Sequence, residues 1–130
     1  MLEVEVLRAP RSAGAPTRAE IRGLCRAAAS RFDVDDGHVA VEFVDAERIH
    51  ELNDSHRGRY APTDVLSFPV DGPDGPAPRE LGDVVICPEH TADLREAVVH
   101  GMLHLLGMDH ERDDGEMLAL QDELLGAGSP

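Results

Sequence analysis

Tryptophan is absent from this 130-residue chain, and the remaining aromatic residues are three Phe and one Tyr. With so few rings the core must be aliphatic, and aromatic platforms for stacking nucleobases are not available in number. Lysine is absent too, so all twelve basic side chains are arginine. Cysteine occurs twice, at Cys25 and Cys87, far apart and without a CxxC spacing. Neither a disulfide framework nor a cysteine-built zinc site is expected, and each thiol reads as a small buried hydrophobe. No apolar run is long enough to span a bilayer. The stretch from Met1 to Val6 alternates acidic and apolar residues and lacks the basic start of a secretory signal, so a cytoplasmic location is expected.

Acid is abundant. Twenty-six Asp and Glu give a formal net charge of −14, against non-specific attraction to nucleic acid. The charge is unevenly spread, however. Residues 8–31 hold six arginines (Arg8, Arg11, Arg18, Arg22, Arg26, Arg31) against Glu20 alone, a local +5, whereas residues 68–130 sum to −11. The length fits one domain over residues 1–130, and 42% hydrophobic residues suffice for its core.

Leu2 to Leu7 alternates as a strand does. Thr17 with Glu20 forms a capping box for a helix whose apolar face is Ile21, Leu24, Cys25, Ala28 and Phe32. Arg18, Arg22 and Arg26 recur every fourth residue on a neighbouring face, read first as a solvated surface and second as a binding face. Val39 to Val44 is a second strand and Ala46 to Asn53 a short helix. Arg57 to Pro62 forms a loop, Val65 to Phe68 a strand closed by Pro69, and residues 71–78 an exposed turn region. Val84 to Cys87 is apolar throughout and reads as a central strand. Two helices follow, from about Pro88 to Leu106, ended by Gly107, and from about Asp114 to Leu125. Strands and helices in this order predict an α+β fold with a small mixed four-stranded sheet.

The chemistry concentrates in residues 100–110, His-Gly-Met-Leu-His-Leu-Leu-Gly-Met-Asp-His. On a helix His100 and His104 project from one face, one turn apart. Gly107 ends the helix, and the turn after it can return His110 toward the pair. Three imidazoles around one point leave a tetrahedral ion one open position, the arrangement of catalytic zinc. There a bound water loses a proton near pH ~7. Imidazole also suits other first-row divalent ions. The bland alternative is a buried helix with incidental histidines, but three buried imidazoles in an apolar window each need polar partners. The spacing matches that of metzincin peptidases, which carry a Glu general base directly after the first His. Here that position is Gly101, and the nearest downstream acids are Asp109 and Glu111.

The motif from His100 to His110 resembles the signature of the YbeY family of zinc-dependent endoribonucleases. Leu52-Asn53 with Arg57-Gly58 and Pro62-Thr63-Asp64-Val65-Leu66-Ser67-Phe68-Pro69 resembles a second family segment, and Leu81-Gly82-Asp83-Val84-Val85-Ile86-Cys87 a third. The resemblance implies a zincin-like fold with zinc on His100, His104 and His110, near the C-terminus. It also implies cleavage of single-stranded ribosomal RNA near the 3′ end of the small-subunit RNA, a role in ribosome quality control, and the small subunit or its assembly proteins as partners. It implies a functional arginine at Arg57, whose guanidinium can bond a phosphate bidentately and offset charge developing in the transition state; Arg59 has the same chemistry with less support. Thr63, Asp64 and Ser67 read as satisfying loop backbone, and Asp83 as structural or as a partner orienting a ligand imidazole. The other histidines (His38, His50, His56, His90) read as ordinary. The stretch from Cys87 to His100 is shorter than the family pattern by about three helical turns, so a preceding helix is lost or merged with the histidine helix.

The expected function is therefore zinc-dependent endoribonuclease. The alternatives are a non-enzymatic ribosome-assembly factor whose metal only holds the fold, and a peptidase lacking the usual Glu base. With −14 overall, RNA is held by the locally basic N-terminal part or delivered by a ribosomal partner.

Overall fold

The computed structural model describes residues 1–57, 65–70, 79–108 and 115–127, with side chains at all of these except 53–57, 90 and 127. In chain order the elements are β1 (Glu3–Leu7), α1 (Arg18–Ser30), β2 (His38–Phe43), α2 (Ala46–Arg57), β3 (Val65–Pro69), β4 (Glu80–Ile86), a single 3-10 turn (Pro88–His90), α3 (Leu94–Leu105) and α4 (Glu116–Ala127). The sheet has the order β1-β2-β4-β3. β1 and β4 run parallel to β2, and β3 lies antiparallel to β4. The architecture is α+β around a mixed four-stranded sheet.

Strand alternation divides the residues between two faces. Val4 and Val6 of β1, Val39, Val41 and Phe43 of β2, and Leu81, Val84 and Ile86 of β4 are buried in one cluster with Ile21, Leu24 and Cys25 of α1 and with most of α3. On the opposite face Val85, Cys87 and Leu66 pack beneath Ile49 and Leu52 of α2. Both cysteines are free and buried. Burial pushes the Cys25 thiol up to about 12, so it is an inert core residue at neutral pH.

The capping box forms as expected: Thr17 Oγ1 accepts from Glu20 N at 3.1 Å, and Glu20 Oε1 accepts from Thr17 N at 3.2 Å. The arginines that follow neither float in solvent nor stand free. Arg18 Nη1 donates to Val6 O, Arg22 Nε to Val4 O at 3.4 Å, and Arg26 Nε to Leu2 O at 3.0 Å. β1 is an edge strand, and these alternate carbonyls face away from β2. Four helical residues rise about 6.0 Å and two strand residues about 6.6 Å, so the two periods nearly coincide. With α1 antiparallel to β1, each arginine meets the next outward carbonyl, and the edge is closed to strand pairing.

Three elements differ from the sequence reading. The helix expected from Pro88 is broken. Asp93 is extended (φ −132°, ψ 105°) and its side chain caps α3 by accepting from Glu96 N at 3.1 Å, which leaves one 3-10 turn before it. β4 begins at Glu80, four residues earlier than expected, because Gly82 and Asp83 pair with β2 and β3 on both sides. Finally, α2 runs on to Arg57, which places that backbone at a helix end rather than in a loop.

Candidate metal centre

α3 reads LREAVVHGMLHL and is apolar nearly all round. Val98, Val99, Met102 and Leu103 are fully buried. His100 and His104 are half-buried on the same side, one turn apart. Their rings meet edge to face, with centroids 4.8 Å apart and planes at 78°. The two Nε2 atoms lie 3.2 Å from each other.

Each ring is fixed from behind. His104 Nδ1 lies 3.0 Å from the carbonyl oxygen of Met108, which can only accept, so Nδ1 carries the proton. The local sequence produces this contact. Gly107 takes φ +98°, a conformation that favours glycine. Met108 N donates to Leu103 O and Gly107 N to His104 O, both at 3.0 Å. That is a Schellman turn, and it folds the Met108 carbonyl back onto His104. His100 Nδ1 donates to Gln121 Oε1 of α4 at 2.9 Å. Gln121 is 5% exposed and is the one buried polar or charged side chain among the described residues.

With each Nδ1–H directed at an oxygen, the two Nε2 atoms face each other at 3.2 Å. Such an approach is repulsive unless a proton or a cation lies between the rings. Two nitrogens on a tetrahedral ion at the usual zinc–nitrogen distance of roughly 2.0–2.1 Å stand about 3.3–3.4 Å apart. The pair therefore fits two ligand positions of a first-row divalent ion, with oriented Nδ1–H groups of the kind that hold ligand imidazoles.

Gly101 and Ser67 seat the helix. A Cβ at Gly101 would overlap Val84 Cγ1 of β4 and approach Cγ2 to 3.1 Å. The position that bears the metzincin base is thus pressed against the sheet, with no room for a side chain. Ser67 Oγ of β3 donates to Gly101 O at 3.1 Å, bracing α3 rather than the loop backbone expected of it.

Of the residues singled out in the sequence, His100 and His104 come together. His110 and Arg59 lie outside the described residues, as does the side chain of Arg57, so among the described residues no group of three or more His, Cys, Asp or Glu is arranged to hold a metal. Asp83 lies on the sheet face opposite to Val84 and α3, so it orients neither His100 nor His104. Burial, then the neighbouring Glu80 charge, holds its carboxyl above the usual range. His38 is no ordinary surface residue: its Nδ1 sits 2.8 and 2.9 Å from the Glu80 oxygens and its Nε2 3.3 Å from Glu5. Gln121 went unnoticed in the sequence. Its signal was one amide on the apolar stripe of α4, four residues after Met117 and three before Leu124.

Comparison with known proteins agrees with this architecture. Residues 13–128 match the family model described as Endoribonuclease YbeY. The chain is 42% identical over 130 residues to a protein named Endoribonuclease YbeY from Rubrobacter xylanophilus, covering 95% of this chain and 94% of that protein. It is 41% identical over 132 residues to the protein of that name from Bacillus cytotoxicus, covering 82% of this chain and 83% of the other. The solution structure of TM1509 from Thermotoga maritima superposes with a TM-score of 0.58 at 27% identity, covering 96% of this chain and 88% of that one. By the extent of the family match and the identity to these relatives, the chain belongs to the YbeY endoribonuclease family.

Proposed function

We propose that this chain is a zinc-dependent endoribonuclease that cleaves single-stranded ribosomal RNA, at the 3′ end of the small-subunit RNA, and that it serves ribosome quality control in the cytoplasm beside the small subunit or its assembly proteins. The observation that carries the metal part is the convergence of His100 and His104 Nε2 at 3.2 Å with both Nδ1–H groups donated to fixed oxygens. His110, six residues after His104 and two beyond Met108 of the Schellman turn, completes the ligand set. The RNA part rests on the family, whose relatives are named endoribonucleases.

A bound zinc ion supplies a water of lowered pKa and polarises a phosphoryl oxygen. The chain's own residues do the rest. Gln121 and the Met108 carbonyl hold the two imidazoles in the tautomer that presents Nε2. Arg57 grips the scissile phosphate and offsets its growing charge. Gly101 leaves no base behind the first histidine, which counts against a peptidase reading; Asp109 and Glu111, beside His110, are the nearest downstream acids. The test is cleavage of an end-labelled single-stranded RNA by wild type, Arg57→Ala and His104→Ala side by side. Wild type cleaves, Arg57→Ala is slower by on the order of 10²-fold, and folded His104→Ala is inactive. Equal cleavage by wild type and His104→Ala overturns the proposal.

A further inference from the structure

The arginines of α1 do more than close a sheet edge. Each guanidinium of Arg18, Arg22 and Arg26 spends one donor on a β1 carbonyl. An arginine has five N–H donors in a fixed fork, so most of each fork is left over. None of the three pairs with a carboxylate among the described residues. Glu20, the one acid of α1, belongs to the capping box and to an ion pair with Arg95 at 2.9 Å. Arg31 is taken by Glu123 at 2.8 Å. Glu3 and Glu5 of β1 project to the sheet face opposite to α1, where Glu5 meets His38. Arg8 and Arg11, both exposed, follow β1 in the chain.

A row of cations normally costs side-chain entropy to hold in one line. Here the carbonyls of Leu2, Val4 and Val6 already hold it, at the two-residue strand repeat of about 6.6 Å. That is a preorganised track for an extended polyanion whose charges recur at similar intervals. The track runs along the β1 edge, whereas α3, which packs beside α1, is braced through Ser67 to β3 at the opposite edge of the sheet.

We infer that the Arg18-Arg22-Arg26 ladder, along the β1 edge of the sheet, is a second RNA-binding surface, which grips the phosphates of single-stranded RNA. This rests on the proposed RNA substrate. It shows how a chain of net charge −14 can retain RNA: attraction is confined to one sheet edge, and the acidic sheet face beside it turns the strand toward the helices.

The test is fluorescence anisotropy of a labelled single-stranded oligouridylate with the folded protein across a salt series, in the His104→Ala background so that the probe stays intact. Each phosphate contact adds about −0.7 to the slope of log K against log salt for single strands. Arg22→Gln with Arg26→Gln should make the slope shallower by about 1.4 and weaken binding at low salt. Arg22→Lys with Arg26→Lys keeps the charge and should keep most of the slope. Unchanged affinity and slope in a folded Gln variant would overturn the inference and leave the ladder as an edge clamp alone. Loss of slope in both the Gln and the Lys variants would also overturn it, since damage to the edge would then account for the change. Wild-type cleavage is read separately: RNA bound through the ladder but never cut would refute the proposed activity and leave the surface standing.

Discussion

Replacing Gly101 with alanine should destabilise the protein, although alanine is the better helix former. In an open helix the change would gain up to about 1 kcal/mol. Here the new methyl would overlap Val84 Cγ1 and lie 3.1 and 3.3 Å from its Cγ2 and Cβ. Val84 is fully buried in an inner strand and has nowhere to withdraw. Overpacking of this kind costs about 1–3 kcal/mol, so the steric loss outweighs the propensity gain by about 1 kcal/mol, or about 3–5 °C in midpoint for a domain of this size. The strain should vanish when Val84 is also shortened. Val84→Ala alone loses buried methyls and is destabilising, yet the double variant should beat the sum of the two by at least about 1 kcal/mol. Urea unfolding of the four proteins measures this cycle. Gly101→Ala as stable as wild type, or strict additivity with Val84→Ala, would refute the close approach of α3 to β4 and with it the reason the metzincin base is missing.

Gln121→Leu should leave the protein folded and weaken metal binding about 10- to 100-fold, because His100 loses the acceptor that fixes its tautomer; competition with a metal chelator reads the affinity directly, and an unchanged value would remove Gln121 from the site. His38 should make stability depend on pH. Its hydrogen bond to Glu80 is the main cause raising its pKa, with Glu5 and Glu3 adding to it and burial opposing; Glu42 and Asp83 lie on the same sheet face. A raised folded pKa means that the contribution is complete below the unfolded value of about 6.5 and is lost as pH rises through the folded value. Wild type should therefore lose stability from about pH 6.5 upward relative to His38→Gln, and parallel curves for the two would contradict the cluster. Cys25, its thiol pushed up to about 12 by burial, should resist a thiol reagent in the native protein and react on unfolding; fast native labelling would contradict its place in the core.

The sequence disclosed those features whose causes are local. The Thr17–Glu20 box, the β1 alternation, the spacing of His100 and His104, and the stop at Gly107 each depend on neighbours within a few residues, and each appears in the structure. What stayed hidden was set by partners distant along the chain. The arginine ladder looks like a surface stripe until β1 is placed beside α1. Gln121 looks like one polar residue of a C-terminal helix until His100 arrives from 21 residues away. The extension of β4 through Gly82 and Asp83 needed the pairing of β2 and β3 on either side, since glycine and aspartate are poor strand formers by themselves. The break before α3 shows a local signal overridden: Pro88 suits a helix start, but its turn has no side-chain cap, whereas Asp93 caps α3.

Whether the histidine face of α3 holds one metal ion is read from the metal content of protein purified without chelator. Wild type should carry close to one zinc per chain, and His104→Ala should lose that zinc with the fold retained. No bound metal in wild type, or equal metal in wild type and His104→Ala, would contradict a metal site at these histidines.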